Sequence, residues 1–180
     1  QSFRIPLIVR DPRAAGDVAR GHQIDAFSES VDLMPTLLDW LGLETPAQCD
    51  GRSLMPFLHG KATPAHWRQE AHMELDFRSG PHSGLDAQGA LGLSPDECQL
   101  AIIRGERWKY VFFAALPPLL FDLHTDPWEM NDLSGDPAYR DVMLEMAHKM
   151  LSWRLVHQEH VLTNLHNGPN GVEDRSRPPG

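Results

Sequence analysis

An α/β chain that becomes α+β in its C-terminal part is what the order of apolar patterns predicts. Ile5-Pro6-Leu7-Ile8-Val9 is an unbroken apolar run of strand length, dense enough for a strand buried on both faces. Glu70–Phe77, Cys98–Arg104, Arg107–Phe113 and Leu119–Leu123 carry further strand patterns. The last three are joined by a tight turn at Gly105-Glu106 and a short link over 114–118, which predicts an antiparallel meander. A long three- and four-residue periodicity after Asp136-Pro137 then predicts a helix that packs the meander.

Each element has local reasons. Pro6 sits at the entrance of the first run, where a missing N–H is tolerated, and Asp11-Pro12 stops it. Residues 13–22 read as a loop with Gly16 and Gly21, and 23–27 alternate as a second strand. Asp32 is a good helix N-cap, and Pro35 falls among the first-turn positions where proline costs little. Leu33, Met34, Leu37, Leu38 and Leu41 form an apolar stripe, and Gly42 is placed as a left-handed cap. Residues 44–52 form a loop ending in Asp50-Gly51-Arg52, and Ser53–Leu58 predict a short helix closed by Gly60. The strand over 70–77 alternates, with one face buried and one wet. Residues 78–95 read as a long loop, a length usually tied to function or mobility.

In Leu119–Leu133 an apolar strand runs into a polar turn opened by Asp126-Pro127, with Trp128 and Leu133 as its expected apolar anchors. The last helix is capped by Asp136 with Pro137 at its first position. Tyr139, Val142, Met143, Met146, Met150 and Trp153 form its stripe, broadened by Leu144, Ala147 and Leu151, so it should be well buried. The tail from Val161 is rich in Gly and Pro and cannot make a core of its own.

The net charge of −9 over 180 residues argues against a nucleic-acid binder, which normally shows a basic face. No run approaches the roughly 18 apolar residues of a membrane span. The two cysteines, Cys49 and Cys98, make no disulfide framework or zinc ribbon, and reduced thiols suggest the cytoplasm. His157 and His160 miss the register of a helical metalloprotease site, and Glu145 with His148 offers one Glu-x-x-His pair where a di-iron bundle needs two. Cys49 reads as a loop cysteine without a fixed base, and no phosphate loop or nucleophile elbow occurs. The best polar concentration is Asp76, Arg78, His82 and Asp86, at a strand end and in the long loop. There Asp76, Arg78 and His82 are candidates to clamp an anionic substrate, set against the plain reading of a solvated loop.

Several stretches together resemble the C-terminal third of the sulfatase family, within the alkaline-phosphatase superfamily. They are Ile5-Pro6-Leu7-Ile8; Val31 through Asp39 with Gly42; Asp50-Gly51-Arg52-Ser53-Leu54; Arg107-Trp108-Lys109-Tyr110; and Leu120-Phe121-Asp122-Leu123 through Asp126-Pro127-Trp128-Glu129-Met130-Asn131-Asp132-Leu133. They occur in family order. The 70–78 strand and the tail after the last helix look most like phosphonate monoester hydrolases and related arylsulfatases.

The resemblance implies a hydrolase of sulfate, phosphate or phosphonate monoesters. Its family uses a divalent metal and a formylglycine nucleophile made from cysteine or serine. The nucleophile motif, Cys or Ser followed by x-Pro-x-Arg, is absent, and Cys49-Asp50-Gly51-Arg52 is not a version of it. In the family this motif and the metal-binding acids precede the strand at residue 5. No catalytic or metal residue is therefore carried over, and neither cofactor is expected in this chain. The resemblance assigns 1–68 to the end of a large, mostly parallel α/β domain. It assigns 69–155 to a small subdomain with a four-stranded antiparallel sheet and one helix, and 156–180 to a tail that contacts another copy in a homo-oligomer. A chain that opens inside a core strand looks cut from something longer, so its first expected partner is the N-terminal part of the same enzyme, and it should be inactive alone. The rival is a stand-alone interaction or oligomerisation module without chemistry.

Overall fold

A computed structural model describes residues 5–46, 48–78, 87–157, 165–168 and 171–174. The chain divides into two compact units, one spanning Gln69–Val156 and the other made by the residues up to Arg68 with those from His157 onward.

In the unit 69–156, β1 (Ala71–Asp76), β2 (Gln99–Arg104), β3 (Trp108–Phe113) and β4 (Leu119–Asp122) form one sheet in sequence order. All three pairings are antiparallel, with Met73 opposite Ile102, Ile102 opposite Val111, and Val111 opposite Leu119. The two-residue alternation sorts the side chains. Ala101, Ile103, Tyr110 and Leu120 meet Met146 and Met150 of α4 (Arg140–His157). Ile102, Val111 and Phe121 cluster on the opposite face with Met73, Leu100, Phe113 and Leu119 beside them. The helix entry is as the sequence predicts: Asp136 accepts a hydrogen bond from the Ala138 N–H at 2.9 Å, and Pro137 opens a 3-10 turn that leads into α4. Tyr139, Val142, Met143 and Ala147 pack onto the core, and Trp153 stacks on His72 at 4.4 Å. Leu144 and Leu151 do not broaden the buried stripe; both are exposed. They lie outside the arc around Met146 and Met150 that the sheet covers.

The segment read as a long loop holds two ordered pieces: a short helix, α3 (Ala87–Leu91), and a 3-10 turn, Pro95–Glu97. The turn forms because Ser94 and Glu97 cap each other's backbone.

In the first unit the expectations fare differently. Neither the 5–9 run nor 23–27 is a strand. A strand exists only by pairing, and these segments have no ladder partner among the described residues; Ile8 is 93% exposed. Residues 14–19, read as loop, form a 3-10 helix. Helix α1 (Leu33–Leu41) forms where predicted, and Gly42 ends it at φ 72°, the left-handed conformation that favours glycine. Its stripe points the wrong way, however, because Leu33, Met34, Leu37 and Leu41 are exposed while Pro35 and Thr36 are buried. Helix α2 (Met55–Leu58) supplies Phe57 to a small core with Leu54 and Trp67, the two rings meeting edge to face at 4.8 Å. In the tail, β5 (Leu165–Gly168) and β6 (Gly171–Asp174) pair antiparallel, two strands that the sequence reading did not name.

Candidate functional site

Of the residues named as a candidate clamp, Asp76 and Arg78 lie together. Asp76 ends β1, and two residues on Arg78 turns back to it. The Arg78 N–H donates to Asp76 Oδ1 at 3.0 Å and Arg78 Nε to Oδ2 at 2.7 Å. The guanidinium, with that N–H, holds the Asp76 carboxyl below the usual carboxylate range, and the carboxylate raises Arg78 in turn. A carboxylate so paired is a weak general base. His82 and Asp86 lie outside the described residues. Beside Asp76 runs a groove of about 280 Å³, bordered by Gln99, Phe112 and the Glu74–Arg154 ion pair at 3.0 Å.

Two polar centres in the first unit escaped the sequence reading. Asp32 was expected as a helix cap, but its carboxylate makes no cap bond to α1. It is fully buried and accepts from the Glu29 N–H at 2.8 Å, the Arg52 N–H at 2.8 Å and Arg68 Nη2 at 2.7 Å, with Arg68 Nη1 on its other oxygen. Burial alone would raise its pKa. The Arg68 guanidinium and the two N–H donors outweigh that and keep it low. This centre explains the Asp50-Gly51-Arg52 motif. A Cβ on Gly51 would lie 2.0 Å from the Val31 carbonyl oxygen, so only glycine lets the Arg52 N–H approach Asp32.

Asp11, expected only to stop a strand, is the second centre. It accepts from Arg13 Nη2 at 2.8 Å, from the Trp40 indole at 3.1 Å and shares 3.2 Å with His59 Nε2. Arg13 is the main cause of its strongly lowered pKa.

The stretch 119–133 is braced by similar means. Asp122 holds Arg107 through both oxygens, with Nη2 at 2.9 Å, and the pair keeps Asp122 ionised below its usual range. Asp132 takes the Leu120 N–H at 3.0 Å and the Ser134 N–H at 2.9 Å. Asp126 takes the Asn131 N–H at 2.7 Å, and Lys109 pairs with Glu129, which sits at φ 59°. Leu133 anchors the turn in the core. Trp128 does not; it is 78% exposed, because these polar bonds already hold the turn and leave the indole outside.

No group of three or more His, Cys, Asp or Glu side chains suited to a metal occurs among the described residues. The carboxylates of Asp11, Asp32 and Asp122 are occupied by arginine and N–H donors. This donor set does not fit a divalent metal, and the described geometry is that of a braced scaffold.

Residues 1–86 match the family model described as N-sulphoglucosamine sulphohydrolase, C-terminal. Over 98% of its length the chain is 49% identical to the multifunctional alkaline phosphatase superfamily protein PehA of Trinickia caryophylli, covering 33% of that protein. It is 30% identical over 79% of its length to the N-acetylglucosamine-6-O-sulfatase of Bacteroides thetaiotaomicron, covering 23% of it. The crystal structure of the phosphonate monoester hydrolase of Agrobacterium radiobacter superposes with a TM-score of 0.74 at 41% identity, covering 89% of this chain and 31% of that one. The chain thus spans about a third, or less, of the relatives it matches. The four-stranded antiparallel sheet with its long helix matches the C-terminal domains of sulfatases. The chain belongs to the sulfatase family of that superfamily and corresponds to its C-terminal region.

Proposed function

We propose that this chain is the C-terminal portion of a metal-dependent hydrolase of sulfuric, phosphonic or phosphoric monoesters, and that it is inactive alone. What carries the reading is the 49% identity that runs the whole length of the chain yet spans only a third of the relative. In the full enzyme the metal ion would stabilise charge on the transferring group and a formylglycine would supply the nucleophile. Both would be held by residues outside this chain. The chain's own part is to present a rigid sheet and turn. Arg78, with Asp76 and His82, is the group we place toward an anionic substrate, supported by a guanidinium at a strand end. The unpaired thiols of Cys49 and Cys98 support a cytoplasmic setting, and the 156–180 tail is the proposed contact with a second copy.

An assay of the 180-residue chain with divalent metal and aryl sulfate or phosphonate monoesters tests this. The expected result is no turnover. Turnover abolished by Arg78→Ala would overturn it, as would a start codon just upstream of Gln1. The reading expects the upstream frame to carry a Cys/Ser-x-Pro-x-Arg motif.

A further inference from the structure

Helix α4 carries two apolar stripes, and the sheet uses one of them. Met143, Met146 and Met150 turn to the sheet, with Tyr139, Val142 and Ala147 beside them. Leu144, Leu151 and Leu155 do not, and each is more than half exposed. At about 100° per residue the second stripe is centred roughly 150° round the helix from the first, out of the sheet's reach. Two ion pairs to the β1 side hold the helix in this setting. Lys149 Nζ meets Glu70 at 2.9 Å, and Arg154 Nε meets Glu74 at 3.0 Å. Rolling α4 to cover its leucines would break both and withdraw the methionines from the core.

The exposed stripe has an order of its own. Leu144, His148, Leu151 and Leu155 stand four, three and four residues apart, the alternation of a two-helix seam in which side chains of one helix enter holes in the other. That spacing reads the same in both directions. An antiparallel copy, turned about a two-fold axis midway between positions 149 and 150, brings Leu144 against the second copy's Leu155 and His148 against its Leu151. The flanks match too, since Glu145 falls beside Ser152 and Arg154 beside Ala147, and no like charges meet. A parallel pair would set the two His148 rings against each other. We infer that the outer stripe of α4 is a self-complementary contact with a second copy of this chain, in the antiparallel register. The occupant follows from the symmetry of the spacing, because a surface that is its own complement under a two-fold axis fits itself. The paired helices would bury on the order of 1,000 Å² in total, the lower limit for a specific interface. This contact is separate from the 156–180 tail and does not rest on the function proposed above.

Sedimentation equilibrium of the 180-residue chain and its variants tests this, with melting midpoints measured alongside. The unaltered chain is expected to dimerise reversibly. Leu144→Glu and Leu155→Lys should each weaken the dimer by about tenfold or more. Both should leave the melting midpoint unchanged at a protein concentration where every sample is monomeric, because both side chains are exposed and both replacements are good helix formers. Mixing the two variants should restore association, since the antiparallel register sets the introduced carboxylate against the introduced ammonium and leaves the other end layer leucine on leucine. An unaltered chain that stays monomeric overturns the inference, as does a dimer indifferent to both substitutions. A dimer lost in each variant and not restored by mixing overturns the antiparallel register and gives the stripe another occupant. A lowered melting midpoint in either monomeric variant overturns it as well, because the leucine would then belong to the fold and not to a contact.

Discussion

In residues 69–156 the apolar side chains face inward and the sheet is its own frame; in the residues before 69 the arrangement is nearly reversed. Ile103 and Leu120 are fully buried at the centre of the later unit, on methionines from α4. The earlier unit has only a small cluster of Leu54, Phe57 and Trp67, while Ile5, Ile8, Leu33, Leu37 and Leu41 face outward. What it buries instead are the carboxylates of Asp11 and Asp32. Buried charges contribute little net stability but fix geometry strongly, since a misplaced partner leaves a desolvated charge behind. The later unit is held by hydrophobic burial and tolerates small errors of fit. The earlier one is held by directed bonds, which keep its shape while its apolar surface remains available.

The largest expected effect therefore comes from a polar residue. Asp32→Ala strands two N–H groups and leaves Arg68 with only its 3.4 Å ion pair to Glu29, and losing one partner of a buried pair costs about 3–5 kcal/mol. The earlier unit should open while the later one survives, as region-resolved hydrogen exchange would reveal. Equal loss of protection in both units would mean that they do not differ in this way.

The converse cut is Ile103→Ala. It removes a fully buried side chain near the C-terminal end of β2, at a cost of about 2–5 kcal/mol. Protection should be lost through β1–β4 and α4, with the amides around Asp32 retained. Urea melts with the same readout would compare the two variants directly.

These contrasts explain what could be read from the sequence. The meander and α4 were legible because each strand finds its partner a turn away, so that period and turn chemistry suffice. The start and end of α1 were legible for the same local reason. Its orientation was not, because periodicity says which residues share a face and not which face is covered. The 5–9 run misled because strand identity depends on a partner elsewhere. Asp32 could be seen as a helix-start residue, but Arg68 is 36 positions away, and nothing local announces that pairing. Asp76 and Arg78 were found because they are two residues apart. Trp128 was misjudged because the turn it belongs to is closed by aspartates.

Acid should separate the units by a smaller amount. The folded-state pKa of Asp11 and of Asp32 is depressed. Their contribution is thus present above the unfolded value near 3.8 and is lost as pH falls through the lower folded values. Below pH 3.8 the earlier unit should lose exchange protection first, because its buried carboxylates replace a core. The later unit has carboxylates of its own, Asp122 and Asp132, that are depressed too, but its apolar core does not titrate. Simultaneous acid unfolding of both units would remove this distinction.

The smallest effect is expected where the sequence looked most functional. Asp76 and Arg78 form an ion pair with side chains one-third and one-half exposed, and such surface pairs contribute about 0–1 kcal/mol. Arg78→Ala and Asp76→Asn should each leave the melting midpoint of the chain within that range. The two substitutions should also agree, because each breaks the same pair. A larger loss from Asp76→Asn than from Arg78→Ala would point to Asp76 as a brace for the end of β1, where the Phe77 N–H continues the ladder to the Cys98 carbonyl at 2.8 Å. Small and equal losses in the chain, set against a marked rise in KM when Arg78→Ala is made in a full-length active enzyme that contains this region, would identify a group kept for substrate rather than for the fold.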